Sequence, residues 1–265
     1  MISENFMGWE SPGSALITGS SSGIGAEFAR QLAQQGFDLI LVARRKEKLD
    51  ALSKTLQEKY SINAEVLVAD LSKISDNEQV ISKINEIENL DILINNAGFG
   101  ILGNFLQIEL MKYVDMINVH FTSPVMLCHA TIPGMAKRKR GVIINTSSIF
   151  AIIKDSSLIM YTTTKSALAI FSELLNVKVK GTGIYIQALC PGFTYSEFHD
   201  TDTMNGFQRS WYNPEQWMKA EDVVSLSLDA VKSKSVIFIP GEINRQSGII
   251  NRKKKLSKYL NCDWL

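Results

Sequence analysis

Short runs rich in Val, Ile and Leu recur along this 265-residue chain, and stretches with an apolar residue every three or four positions lie between them. That alternation constrains the fold more than any other feature. A β-run followed by an amphipathic helix buries its apolar surface as successive βαβ units feeding a parallel sheet. The runs are Ser14–Thr18, Phe37–Val42, Ala64–Val68, Ile92–Ile94, Val142–Thr146, Ile184–Leu189 and Val236–Ile239. Their nearly continuous apolar character predicts strands buried on both faces. Between them, Ile24, Phe28 and Leu32 make a one-faced stripe in a helix predicted to start near Gly23 and to end at Gly36. Leu49, Leu52 and Leu56 make a second stripe, and Val80, Ile84 and Ile87 a third. The expected architecture is α/β, a doubly wound parallel sheet of about seven strands with helices on both faces.

No internal repeat, low-complexity tract or Pro/Gly/Ser-rich linker divides the chain, so residues 1–265 read as one domain, with 1–13 as an N-terminal extension. The interval 193–219 lacks a strong strand signal, and a long irregular insertion of this kind is expected to be a substrate lid or binding loop. Twenty-eight basic against 27 acidic side chains leave a net charge of +1, which removes the global electrostatic argument for a nucleic-acid partner. Cys128, Cys190 and Cys262 are odd in number and widely spaced, so neither a disulfide framework nor a metal cluster is expected, and a reducing cytoplasm suits them. His120, His129 and His199 add no metal-ligand spacing, and no metal is expected. The first 14 residues lack the basic start and apolar core of a leader, and no run is long enough for a membrane span. The basic stretch Asn251–Leu260 reads as a solvated face.

Chemistry first shows at Thr18-Gly19-Ser20-Ser21-Ser22-Gly23-Ile24-Gly25, which follows the first strand and opens the first helix. Glycines there permit a tight turn and close approach of a pyrophosphate to helix N–H groups, the arrangement of a Rossmann-type dinucleotide site. An NAD site would end its second strand with Asp or Glu to bind the ribose 2′-hydroxyl. Here that strand ends Ala43-Arg44-Arg45, two guanidinium groups suited to a 2′-phosphate, so the expected cofactor is NADP(H). The alternative is that Arg44 and Arg45 cap the strand and flank Glu47.

The Gly-x-x-x-Gly-x-Gly spacing resembles the compact short-chain dehydrogenase/reductase family. Asn95-Asn96-Ala97-Gly98, Asn118, Ser148, Tyr161-x-x-x-Lys165 and Pro191-Gly192 follow in that family's order, from Ser14 to about Pro240. The resemblance implies a cofactor cradle of Gly19, Ser21, Ser22, Gly23, Ile24 and Gly25, with Asp70 and Leu71 by the adenine, Asn96, Ala97 and Gly98 alongside, and Pro191, Gly192 and Thr194 by the nicotinamide. It makes Asn118, Ser148, Tyr161 and Lys165 the catalytic set. Ser196 stands where many relatives carry threonine. For Asp70 the alternative is a turn or cap aspartate, and for Asn118 a helix-bending residue bonded to backbone.

Residues four apart on a helix share a face, so the Lys165 ammonium is expected to favour the phenolate of Tyr161, whose ordinary pKa is about 10. The resemblance implies that Tyr161 is the general acid/base, that Ser148 orients the reacting oxygen, that Lys165 also holds the ribose, and that Asn118 anchors a water path to it. Residues 99–102, 149–153 and 193–219 are expected to set the substrate. Their aromatics line an apolar pocket for a lipophilic ketone or 3-oxoacyl chain, or pack the lid or a subunit interface. The expected partner is a small carbonyl or alcohol, in a reductase loosely similar to ketoacyl and hydroxysteroid reductases. The family further implies a homodimer or homotetramer built through the helices around Asn118 and Tyr161. The alternative is an NADP(H)-binding sensor without turnover.

Overall fold

The computed structural model of the chain describes residues 6–153, 156–233 and 235–248. Strands β1 (Ser14–Thr18), β2 (Asp38–Ala43), β3 (Ala64–Val68), β4 (Leu90–Asn95), β5 (Gly141–Thr146) and β6 (Ile184–Leu189) alternate with helices α1 (Gly23–Gln34), α2 (Lys46–Tyr60), α3 (Ile74–Glu86), α4 (Leu110–Ile117), α5 (Ser123–Arg138), α6 (Phe150–Ile153) and α7 (Ile159–Lys178). After them come β7 (Thr194–Tyr195), β8 (Met218–Lys219), α8 (Ala220–Val231) and β9 (Ile237–Phe238). Seven strands form one parallel sheet in the order β3-β2-β1-β4-β5-β6-β9. This is the doubly wound architecture that the alternation predicts.

Adjacent side chains on a strand point to opposite faces, and that divides the core in two. Ala15 and Ile17 of β1 pack with Phe28, Leu32, Leu49 and Leu56 on the α1/α2/α8 side, while Leu16 packs with Val80, Ile84 and Leu127 on the other. Each of these fully buried Leu, Ile or Phe side chains contributes roughly 1.5–3 kcal/mol relative to exposure. Gly36, at φ +85°, ends the α1 turn in the left-handed conformation that glycine adopts without penalty. Phe6 and Trp9 cover Phe37 with edge-on ring contacts, so residues of the N-terminal extension pack against the start of β2.

Two expectations need correction. β3 is not buried on both faces, because it is the edge of the sheet, and Glu65 and Val68 reach solvent. The interval 193–219 does contain strands: β7 and β8 pair in parallel, Thr194 opposite Met218, and pin the two ends of the insertion together. Asn251–Leu260 and Cys262 lie outside the described residues, whereas Cys128 and Cys190 are buried free thiols.

Sheet order and register also fix where chemistry can occur. The chain reverses its direction of winding between β1 and β4, and the crevice beyond the carboxyl ends of such strands is where α/β sheets take ligands. Thr146 of β5 lies opposite Leu189 of β6, so Ser147-Ser148 and Cys190-Pro191 leave the sheet side by side. Buried Asn95 donates to Asn145 at 2.8 Å, and Asn145 donates to Ser172 of α7 at 2.9 Å, tying the strand tips to the helix that carries Tyr161 and Lys165.

Candidate active site

A cleft of about 820 Å³ runs along these strand ends. Of the residues singled out from sequence, Gly19, Ser21, Ser22, Gly23, Ile24, Arg44, Arg45, Asp70, Leu71, Asn96, Ala97, Gly98, Ser148, Tyr161, Lys165, Pro191, Gly192 and Thr194 all line it, from seven separate segments. Gly25 and Asn118 do not.

The turn after β1 is held by backbone contacts. Thr18 Oγ1 accepts from the N–H groups of Asn96 at 2.9 Å and Ala97 at 3.1 Å, and Asn96 Nδ2 donates to the Thr18 carbonyl at 3.1 Å. Gly19 has φ +68° and Gly23 φ +56°, so both use glycine's conformational freedom. Gly25 acts differently: a Cβ there would lie 2.4 Å from the Gly19 carbonyl oxygen, so its role is to let α1 close on the turn rather than to face a ligand. Asn118 opens a π-helical turn, Asn118–Thr122, between α4 and α5, and its Nδ2 donates to the Ser72 carbonyl at 3.0 Å. Single π turns recur at functional sites because they re-aim a helix. Asp70 Oδ1 accepts from the N–H and hydroxyl of Ser72, so it is a turn aspartate as well as a cleft residue.

At the end of the cleft beside β2, Arg44 is exposed and makes no hydrogen bond or ion pair with the described residues. Arg45 is engaged. It donates to Ser21 and Ser22 hydroxyls, each at 2.8 Å through Nη2, and pairs with Glu197 at 2.7 Å rather than with Glu47. Lys48 also reaches Glu197, at 2.5 Å, and the two cations hold its carboxyl down at about 2.

At the opposite end Ser148 accepts from the Phe150 N–H at 3.2 Å and hydrogen-bonds the phenol of Tyr161. Ser147 instead donates to the Lys165 carbonyl at 2.7 Å. Lys165 is buried, donates to the Thr146 carbonyl at 2.8 Å, and lies 5.9 Å from the centre of the Tyr161 ring. The expected pull of Lys165 on the phenol is not met here. Burial pushes Tyr161 up to about 12, against the hydrogen bond from Ser148, and burial brings Lys165 itself down to about 8. Desolvation is the leading influence on both groups.

His120 escaped the sequence reading, which weighed it only as a metal ligand. It is fully buried, accepts from the Phe99 N–H through Nε2 at 3.1 Å, and meets Thr164 Oγ1 through Nδ1 at 3.0 Å. Its ring stands edge-on to Tyr161 at 5.5 Å. Burial, then the Lys165 charge, hold its pKa well below the usual value, so the imidazole is neutral and cross-braces the cleft wall and α7. No local pattern marks such a residue; its partners are 21 and 44 positions away.

The wall beyond Tyr161 is apolar. Phe99, Leu102, Ile149, Phe150, Phe193, Phe198, Phe207 and Tyr212 line it, and Leu102 N–H donates to the Thr203 carbonyl, joining two of the three segments expected to contact substrate. Trp217 is buried beneath Phe193, whereas Trp211 and Tyr195 are about half exposed, so the aromatics divide between cleft lining and surface. The cradle fits a dinucleotide on its own geometry: close-approach glycines at one end, and, among the described residues, an unpaired guanidinium beside them and a buried Thr146 hydroxyl without a partner in the cleft.

Comparison with known proteins agrees with this geometry. The profile described as short chain dehydrogenase matches residues 14–205. A very-long-chain 3-oxoacyl-CoA reductase of Danio rerio is 29% identical over 86% of this chain and 72% of its own. A human protein named inactive hydroxysteroid dehydrogenase-like protein 1 is 30% identical over 80% of this chain and 64% of its own. The chain spans between 54% and 72% of the length of such relatives. Among solved structures, a short-chain dehydrogenase from Sphingobium yanoikuyae in complex with NADPH superimposes with a TM-score of 0.82 at 30% identity, over 96% of this chain and 98% of its own.

Proposed function

The chain belongs to the short-chain dehydrogenase family, and we propose that it is an NADP(H)-dependent oxidoreductase interconverting a carbonyl and a secondary alcohol on a lipophilic ketone or 3-oxoacyl substrate. The observation that carries this reading is one cleft holding Ser148, Tyr161 and Lys165 at one end and the glycine turn with Arg44 at the other. The NADPH-bound neighbour and the 3-oxoacyl-CoA reductase relative support the cofactor and substrate class.

The cofactor when bound supplies the hydride. Tyr161, kept as a neutral phenol by burial, is in the state required to give its proton to the developing alkoxide. Ser148, already bonded to that phenol, is placed to hold the same oxygen in line. Lys165 keeps the floor of the cleft cationic below about pH 8, which favours negative charge developing on the oxygens above it. The aromatic wall excludes water and favours an apolar substrate body. Arg44, with free donors, is the group for a 2′-phosphate. Residues 193–219 act as the lid of a single domain, and exposed Leu110, Leu174 and Val177 on α4 and α7 favour a homodimer or homotetramer. A sensor without turnover has the inactive human relative in its favour, and the complete Ser148, Tyr161 and Lys165 set against it.

The deciding experiment follows NADPH oxidation against aldehydes, steroid ketones and 3-oxoacyl thioesters, with Tyr161→Phe and Arg44→Ala alongside. Tyr161→Phe should lower turnover by about 10²–10⁴-fold without loss of NADPH binding. Arg44→Ala should weaken NADPH about tenfold and leave NADH unchanged. Tight NADPH binding by the wild-type chain with no turnover on any compound would overturn the enzyme reading.

A further inference from the structure

Glu197 occupies a position that neither hydride transfer nor packing of the sheet requires. It opens the turn Glu197–Asp200 within the insertion, yet its carboxylate joins Arg45 and Lys48, residues 152 and 149 positions earlier in the chain. The same guanidinium grips the Ser21 and Ser22 hydroxyls of the phosphate turn. Its neighbours extend the connection in both directions. A Cβ on Gly23 would lie 3.0 Å from Ser196 Cβ, and the Phe198 ring stands 6.0 Å from that of Tyr161. Residues 196–198 therefore meet the phosphate turn, the cationic end and the catalytic phenol in succession.

An acceptor-only carboxylate held between two cations stays ionised throughout the neutral range. Arg45 and Lys48 are each about half exposed at this contact, so the pairs are weak and open to exchange with a more highly charged anion. A 2′-phosphate, with charge near −2, is such an anion and seeks the same donors.

We infer that Glu197 is a cofactor-discrimination residue, an internal counter-anion that competes with the 2′-phosphate of NADPH for Arg45 and Lys48 and so links the choice of cofactor to anchorage of the lid. This rests on the NADP(H) reading above. Linkage requires the effect to run both ways: a phosphate that draws Arg45 and Lys48 away releases residues 196–200, and a lid held by Glu197 weakens phosphate binding.

The test titrates the full-length wild type and Glu197→Gln with NADPH and with NADH, without substrate, following tryptophan fluorescence. The quantity read is the ratio of the NADH to the NADPH dissociation constant. Freeing Arg45 and Lys48 for the phosphate should raise that ratio about fivefold at low salt, and the gain should fade near 1 M salt. In an Arg45→Met/Lys48→Met background the same substitution should leave the ratio unchanged. A ratio unmoved or lowered by Glu197→Gln, or equal tightening of both cofactors, overturns the inference. Because Glu197 is exposed, a thermal melt matching wild type is expected of the variant. A wild-type ratio at or below one that rises in Glu197→Gln would sink the NADP(H) preference and keep this inference. A wild-type ratio above one that does not move would do the reverse.

Discussion

Gly25→Ala tests whether the phosphate turn is set by close backbone approach rather than by glycine's torsional freedom. Gly25 has no left-handed torsion, so alanine costs nothing in φ. Its Cβ, however, would stand 2.4 Å from the Gly19 carbonyl oxygen and 2.5 Å from Asn96 Nδ2. A carbon–oxygen contact relaxes only near about 3.3 Å, so the turn must retreat from α1 by nearly 1 Å. Neither atom is the free end of a flexible chain: one is backbone, and the other is bonded to the Thr18 carbonyl. Overpacking of this kind costs about 1–3 kcal/mol. In a chain of this size that lowers Tm by roughly 2–12 °C. The retreat also spoils the turn that should hold the pyrophosphate, so NADPH affinity should fall with stability. Gly134→Ala is the control. Gly134 lies inside α5, and its Cβ would meet only Arg138 Nη1, at 3.3 Å, a side-chain group that has to give by a few tenths of an ångström while its Nη2 holds the Leu90 carbonyl. That variant should stay within about 1 kcal/mol of wild type, the helix gain of about 0.5–1 kcal/mol set against a small shift of Arg138. Calorimetric melts and NADPH titration read both variants. A Gly25→Ala protein as stable as wild type, with its NADPH affinity intact, would refute the close-approach argument.

Three further outcomes are expected. Because burial lowers Lys165 to about 8, the unfolded chain binds more protons between that pH and the ordinary lysine value of 10.5, so this group makes stability rise with pH across that window. Lys165→Met should remove up to about 1.4 kcal/mol per pH unit of that rise, read as the wild-type-minus-variant difference in urea midpoints at pH 7.5 and 9.5; parallel midpoints would contradict it. His199 acts in the same sense at acid pH: burial, with Arg209 nearby, lowers it from 6.5 to about 4, so its contribution is present above pH 6.5 and lost as pH falls toward 4. His199→Phe should flatten the acid arm of the stability profile. His120→Ala leaves the Phe99 N–H and Thr164 hydroxyl without their shared brace and should cost about 1–3 kcal/mol, with kcat/KM falling more than NADPH affinity; an equal fall in both would argue against a brace specific to the catalytic end.

Much of the fold was legible because its determinants are local. Alternating runs located the six long strands, and stripes the helices between the first four of them, to within a few residues. The glycine turn was readable because it adjoins a strand and opens a helix. Residues whose role depends on a distant partner were not readable in the same way. Asn118 could be placed in a helix, but its acceptor at Ser72 could not, and Gly25 looked like its neighbouring glycines until the Gly19 carbonyl was set against it.

By itself, then, the sequence determined the α/β class, the order of the elements and the residue types gathered at the strand ends, since period and turn chemistry act over a few positions. Only the tertiary structure decided that β3 is an edge, that Arg45 is spent on Glu197 while Arg44 is free, and that Tyr161 is held as a phenol with Lys165 desolvated beneath it. Strand order, ion pairing and desolvation depend on what surrounds a side chain, and those surroundings come from other elements of the fold, 152 positions away for Arg45 and Glu197 and 19 for Lys165 and Thr146.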